Sequence, residues 1–124
     1  MNQPDRYVQF VLPAGEQKVS YKADTKLAHA GTFSFRSEDH TIGNLLRMQL
    51  HSDKAMVVAG YRIPHPLEPV MVVRVQTNGT KSPEEAMQHA LQDLASEYEL
   101  MLNEFDAQIG EVTRQADDRQ LHGL

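Results

Sequence analysis

Six histidines and the acidic residues near them are the side chains of this 124-residue chain that could do acid–base or metal chemistry. Asp39 and His40 are adjacent, but neighbouring residues rarely point at one small ligand, and the pair has no second histidine at a helical i+3 or i+4 offset. A capping or turn role is therefore favoured for them. His65 lies between Pro64 and Pro66, where a buried or hydrogen-bonded imidazole is common.

The motifs that bind nucleotides or activate a nucleophile are missing from the sequence. The chain has no cysteine, which excludes a disulfide scaffold, a thiolate zinc site and a cysteine nucleophile. It also has no glycine-rich phosphate loop and no GxSxG elbow. We therefore expect no catalytic residue, no cofactor and no metal ion. A small hydrolase or isomerase that uses Asp39, His40 or His65 stays as an alternative, because catalytic groups can assemble without a local motif.

Length and charge narrow the class of protein further. A chain of 124 residues is long enough to bury one core and too short to divide convincingly, so we expect a single domain, residues 1–124. The formal net charge is −5, so the chain lacks the overall positive charge that attracts a phosphate backbone, and direct nucleic-acid binding is not expected. The N-terminus does not have the pattern of a signal peptide, and we expect neither secretion nor a membrane span.

Four segments have the pattern of β-strands. Residues 18–22 and 31–37 alternate apolar and polar side chains, whereas 55–63 and 70–77 are rich in β-branched residues. Along the last strand, one face is apolar and the other drifts toward polar, so we expect one buried sheet face and one partly buried face. The segment 1–16 is expected to pack without a clear period.

A short helix is predicted after the second strand. Thr41 is the expected N-cap, and within residues 42–53 the side chains at helical spacing run from Ile42 to Leu50. Leu45, Leu46 and Leu50 would be core residues in most proteins, so the spacing alone favours a core role, with an interface role as the alternative. Gly43, in the first turn, suggests a close backbone approach or the end of the preceding turn.

A long C-terminal helix gives the clearest local signal. Ser82 as N-cap, Pro83 at N1 and Glu85 at N3 form a capping box. The helix is expected over about 83–112, with a frayed tail after Thr113. Its apolar residues recur every three or four positions, and we call this set the apolar stripe: Met87, Leu91, Leu94, Tyr98, Met101, Phe105, Ile109 and Val112. Leu102 and several alanines widen the stripe.

The length of this helix implies a partner. Residues 83–109 would form a rod of about 40 Å, whereas a compact domain of this size is only about 35 Å across. The far half of the apolar stripe would therefore face water in a monomer, which usually marks an interface. The alternative is that the N-terminal segment, or a bend near Gly110, covers the stripe within the chain.

Two sequence blocks resemble a known family. Residues 38–47, EDHTIGNLLR, closely resemble the signature of the α-like small subunits of RNA polymerase, with Ile42 where leucine is usual. Residues 59–68, AGYRIPHPLE, are similar to the strand and proline-rich turn of that family, and 74–77 to its strand end. The resemblance spans most of residues 18–110.

This resemblance implies an α/β fold of the two-layer α+β type: a small, mostly antiparallel sheet packed against a short helix and a long C-terminal helix. It further implies a non-catalytic nuclear subunit that heterodimerises with a larger α-like subunit and then supports the large catalytic subunits. The family-motif residues are Glu38, Asp39, His40, Thr41, Gly43 and Asn44. The partner interface would comprise Ile42, Leu45, Leu46, Gln49, Leu50, Leu91, Leu94, Tyr98, Met101, Leu102, Phe105 and Ile109.

Other interpretations remain open from the sequence. Residues 45–50 and the run MNQPDRY look most like the polymerase II branch of the family, and the branch shared by polymerases I and III is the alternative. A different class is a self-associating regulatory domain of ferredoxin-like type that binds a small ligand. Sedimentation of the isolated chain would distinguish that class, which predicts a discrete homodimer.

Overall fold

The computed structural model describes residues 5–123, so residues 1–4 of the predicted N-terminal segment lie outside the described part of the chain. A short 3-10 helix at Arg6–Gln9 precedes four strands and two helices. In chain order these are β1 (Val19–Ala23), β2 (Ala30–Arg36), α1 (His40–His51), β3 (Met56–Arg62), β4 (Val70–Thr77) and α2 (Pro83–Leu121). The predicted α+β fold with one sheet and two helices is confirmed.

The four strands form one antiparallel sheet in the order β1-β2-β4-β3. Burial along β4 alternates strictly, with Met71, Val73 and Val75 inaccessible to solvent and their neighbours only half-buried or exposed. Val73 pairs with Phe33, and Met71 with Phe35, so the same face of β2 is buried too. The prediction of one buried and one partly buried sheet face is therefore confirmed, and α1 packs on β3 and β4.

The edge strand β1 is more exposed than its alternating pattern suggested. Val19 is exposed, and Tyr21 is only half-buried, with its ring centroid 4.6 Å from that of Phe33. Gly31 permits this contact, because a Cβ atom at that position would lie 2.3 Å from the Tyr21 ring. An edge strand has a neighbour on one side only, which explains why the half-buried pattern is incomplete.

A buried side chain, Ser37, helps to tie the N-terminal segment to the end of β2. Ser37 has a positive φ of 58°, and its hydroxyl lies 3.1 Å from the carbonyl oxygen of Val8 and 3.3 Å from that of Val11. Its backbone N–H donates to the carbonyl of Pro69 at 2.6 Å. Ser37 therefore joins three segments that are distant in sequence.

Helix α2 starts where the capping box predicts and ends later than expected. The Ser82 hydroxyl accepts from the N–H of Glu85 at 3.2 Å. The helix passes through Gly110 without interruption and continues to Leu121, so the predicted end near Val112 is nine residues too early. Loss of apolar periodicity after Val112 does not end the helix, because residues 113–121 contain no proline or glycine, and Arg114 pairs with Glu111 at 2.7 Å.

The chain divides into two compact units, the first ending at Leu91 and the second beginning at Gln92. The first unit holds the sheet, α1 and the start of α2, where Pro83, Ala86, Met87 and Ala90 are buried. The second unit is the remainder of α2, which we call the distal helix. Neither helix of the described chain is long and apolar enough to cross a membrane.

A candidate partner-binding surface

Asp39, an acidic residue of the family motif, caps the start of α1. The Asp39 carboxylate accepts from the N–H of Thr41 at 2.9 Å, and the Asp39 carbonyl accepts from the N–H of Gly43 at 3.0 Å. The hydrogen bond from Thr41 favours the ionised carboxylate and holds the pKa of Asp39 below its ordinary value. Asp39 is thus the N-cap, and the prediction that Thr41 has this role is wrong by two residues.

His40 and Gly43 hold α1 close to β3. The Nδ1 atom of His40 lies 3.0 Å from the Tyr61 hydroxyl, and the two rings meet edge to face at a centroid distance of 5.6 Å. A Cβ atom on Gly43 would lie 2.5 Å from the Tyr61 ring and 2.8 Å from the sulfur of Met71. The close backbone approach that Gly43 suggested is therefore present, and these motif residues set the spacing between helix and sheet.

The remaining motif residues make local polar contacts. Glu38 pairs with Lys18 at 2.9 Å across the end of the sheet. Arg47 donates to the Oδ1 atom of Asn44 at 2.7 Å on the exposed side of α1. Thr41, Asn44 and Met48 lie on the solvent side of the helix.

The residues considered for chemistry have structural partners instead. Asp39 caps a helix, His40 contacts Tyr61, and the Nδ1 atom of His65 lies 3.3 Å from the N–H of Leu67 within its own loop. A pocket of about 250 Å³ lies beside the motif, and two of its lining carboxylates are Glu38 and Asp39. Within residues 5–123, no group of three histidine, aspartate or glutamate side chains could hold a metal ion.

Two of the residues predicted on α1 as partner contacts are core residues. Leu46 is 1% exposed and Leu50 is 0% exposed, and both pack under the helix in the first unit. A side chain without accessible surface cannot contact a second chain unless the core rearranges, so this part of the predicted interface is wrong. Helical spacing identified the apolar side of α1 correctly, but it does not say which chain covers that side.

The other residues predicted on α1 as partner contacts have accessible surface. Ile42, Leu45 and Gln49 are half-buried, and Met48 beside them is 59% exposed. Met48 was missed because it lies outside the main apolar side of the helix, although a large exposed apolar residue next to half-buried ones is a useful signal of an interface. These four residues form what we call the α1 flank.

The distal helix exposes nearly all of its apolar stripe. Leu94 is half-buried, whereas Met101 is 63% exposed and Phe105 is 61% exposed. Other large apolar side chains of the stripe and its edge are also exposed: Leu91, Tyr98, Leu102, Ile109 and Val112. From Leu91 to Val112 the stripe is about 30 Å long, at 1.5 Å per residue. So long an exposed apolar surface on one helix is typical of a protein–protein contact.

Known proteins are similar to this chain in sequence and in fold. The family described as the RNA polymerase Rpb3/Rpb11 dimerisation domain matches residues 30–104, which include β2, α1, both later strands and the proximal two-thirds of the apolar stripe. The chain belongs to this family of RNA polymerase dimerisation domains.

Three relatives that match 80–94% of the chain are named as polymerase II subunits or probable subunits. DNA-directed RNA polymerase II subunit rpb11 of Dictyostelium discoideum is 45% identical over 117 residues, covering 94% of this chain and 98% of the relative. The probable subunit RPB11 of Caenorhabditis briggsae is 38% identical over 94% of this chain and 95% of its own length. Subunit RPB11 of Schizosaccharomyces pombe is 39% identical over 80% of each chain.

An archaeal structure shares the fold. The crystal structure of DNA-directed RNA polymerase subunit L from Thermoplasma acidophilum superposes with a TM-score of 0.60 at 22% identity, covering 74% of this chain and 90% of that one. The relatives named for polymerase II match the branch that residues 45–50 favoured.

Proposed function

We propose that this chain is a non-catalytic assembly subunit of DNA-dependent RNA polymerase II. It heterodimerises with the larger α-like subunit, and the heterodimer then serves as a platform for the large catalytic subunits. The observation that carries the proposal is the exposed apolar stripe of the distal helix in a chain that belongs to a dimerisation family. The relatives named as polymerase II subunits support the polymerase and a nuclear location.

The proposed interface has two parts. On α2 the proposed contacts are Leu91, at the end of the first unit, and the distal-helix residues Leu94, Tyr98, Met101, Leu102, Phe105 and Ile109. On the α1 flank they are Ile42, Leu45, Met48 and Gln49. Burying apolar area of this kind is the main favourable term in association, at about 25 cal/mol per Å². Active-site chemistry belongs to the catalytic subunits in this proposal, because Asp39, His40 and His65 already have structural roles.

The direct test is association with the cognate subunit. The chain is expressed alone and together with the larger α-like subunit of the same polymerase II, and each sample is run in sedimentation velocity. We expect a stable 1:1 complex in the sample that contains both subunits, and no discrete homodimer in the sample of the chain alone. A stable monomer that does not bind the larger subunit would contradict the proposal. A homodimer whose stability depends on a small ligand would favour the regulatory-domain alternative.

A further inference from the structure

The two edges of the apolar stripe differ in chemistry. With Leu91, Tyr98, Phe105 and Val112 as the first positions of successive heptads, the residue before each of the last three is a glutamate. We call Glu97, Glu104 and Glu111 the acidic edge. The opposite edge carries Leu102 and Ile109, both exposed. The stripe therefore has one acidic edge and one apolar edge over residues 97–111, about four helical turns.

The acidic edge lies in a segment without any positive side chain. Residues 92–112 contain six acidic residues and no lysine or arginine, whereas the whole chain has a net charge of −5. The remaining residues thus hold one more basic than acidic side chain. The negative charge of the protein is concentrated on the helix that exposes its apolar stripe.

Two members of the acidic edge have no neighbouring cation on their own helix. Glu111 pairs with Arg114 at 2.7 Å. Glu97 and Glu104, in contrast, have no lysine or arginine three or four residues away in either direction. Both are exposed, and within residues 5–123 neither forms an ion pair. Their charges are therefore available to a partner.

A second copy of this helix would be a poor match for the acidic edge. In an antiparallel pair the edges of the same kind face each other, and glutamate would meet glutamate. In a parallel pair Glu97 and Glu104 would face the apolar edge of the other copy, where they gain no cation and lose hydration. Neither the parallel nor the antiparallel pairing gives a favourable charge contact. Like charges beside an apolar contact surface commonly disfavour wrong partners.

We infer that the acidic edge is a specificity element of this interface: it selects a partner helix with lysine or arginine beside its apolar stripe and disfavours a second copy of this chain. The inference rests on the proposed function, because it assumes that the stripe contacts the larger α-like subunit. Glu97 and Glu104 are the selecting residues, and the apolar stripe supplies contact area that either partner could cover.

Three double variants of the full chain test the inference. Glu97→Gln with Glu104→Gln removes two negative charges from the acidic edge, and Glu97→Lys with Glu104→Lys reverses them. The matched control, Ser96→Lys with Asn103→Lys, changes the net charge by the same +2 as the Gln pair, but on the side of the helix away from the stripe. Binding to the larger α-like subunit is measured at about 0.05 M and about 0.5 M salt, since screening acts mainly on exposed charges.

At low salt, the double variant Glu97→Gln with Glu104→Gln, called the Gln pair, is expected to bind the larger subunit about 5- to 10-fold more weakly, because two exposed charge pairs are lost. The Lys pair should weaken it more, and both effects should shrink at high salt. The control should stay within about twofold of the unmodified chain. In sedimentation of the chain alone, the Gln pair should self-associate more than the control.

The outcomes separate this inference from the proposed function. If the unmodified chain binds the larger subunit but the Gln pair binds equally well at both salt concentrations, or no worse than the control, the specificity inference is wrong and the proposed function stands. If the unmodified chain does not bind at all, the proposed function fails and the inference fails with it.

Discussion

The first unit and the distal helix use apolar side chains at helical spacing in opposite ways. On α1, Leu46 and Leu50 are covered by the chain's own sheet, whereas on the distal helix Met101 and Phe105 are exposed. Periodicity alone does not separate the two cases. The first set stabilises the fold, and the second set is available for binding, so substitutions in the two regions should change different measured quantities.

The largest effect on stability is expected in the first unit, at Leu46. Leu46→Ala leaves a cavity in a fully buried site, and the free energy of unfolding should fall by about 3 kcal/mol. Urea unfolding followed by circular dichroism measures this change. Met48→Ala on the exposed side of the same helix is the control, with an expected change within about 0.5 kcal/mol. Equal losses for the two variants would show that α1 does not pack as described.

The matching change on the distal helix should affect binding and not folding. Phe105→Ala is expected to lower the affinity for the larger α-like subunit by about 2 kcal/mol, roughly 30-fold, because a large aromatic side chain near the middle of the stripe is lost. The unfolding midpoint of the first unit should not change. Leu100→Ala is the control: Leu100 is 68% exposed but lies on the opposite side of the helix. Titration calorimetry that finds no difference between these two variants would place the interface elsewhere.

A smaller loss of stability is expected where α1 approaches the sheet. Gly43→Ala adds a Cβ atom that would lie 2.5 Å from the Tyr61 ring, and the overpacking outweighs the better helix propensity of alanine by about 1–2 kcal/mol. Gly60→Ala on β3 is the control, since a Cβ atom there meets no other atom within 4 Å. Thermal unfolding of both variants measures the difference, and a Gly43→Ala variant as stable as the original would contradict the close approach.

The smallest effect is expected at a partly shielded ion pair of the first unit. Asp53 pairs with Lys81 at 2.8 Å and accepts from the N–H of Ala55 at 2.9 Å. The hydrogen bond from Lys81 is the main reason that the pKa of Asp53 lies below its ordinary value of 3.8. Because the folded-state pKa is lowered, the stabilisation is fully present above pH 3.8 and is lost as the pH falls through the folded-state pKa.

Asp53→Asn should therefore lower the free energy of unfolding by about 1 kcal/mol at neutral pH. The difference from the original chain should shrink in acid, below the ordinary pKa of the carboxyl group. Urea unfolding across this pH range measures the difference. A gap between the two proteins that stays constant down to about pH 2 would show that the charge of Asp53 is not the cause.

Much of the fold follows from local patterns in the sequence. The capping box at Ser82 and the alternation along β4 predicted their elements well, because the hydrogen bonds and the side-chain period are local properties. The cap of α1 was misplaced, since Asp39 and Thr41 are both good capping residues and only the backbone geometry decides between them. The end of α2 was misplaced because apolar spacing stops at Val112 while helix propensity continues.

The candidate surface was only partly predictable for a different reason. Amphipathic spacing identifies the apolar side of a helix, but burial depends on which other element covers that side. Leu46 and Phe105 therefore look alike in the sequence and differ in the structure. The predicted length of α2 was the signal that pointed to an exposed stripe, because a rod of about 40 Å exceeds the roughly 35 Å of a compact domain of this size.

Hydrogen–deuterium exchange of the chain, alone and with the larger α-like subunit, tests the central claim most directly. A helix that lacks tertiary cover opens easily, so the amides of residues 92–112 should exchange quickly in the free chain and become protected in the complex. The amides of β2 and β4 should be protected in both samples, because these strands lie in the middle of the sheet. Exchange in residues 92–112 that is unchanged by the larger subunit would contradict the assignment of the distal helix as the partner-binding surface.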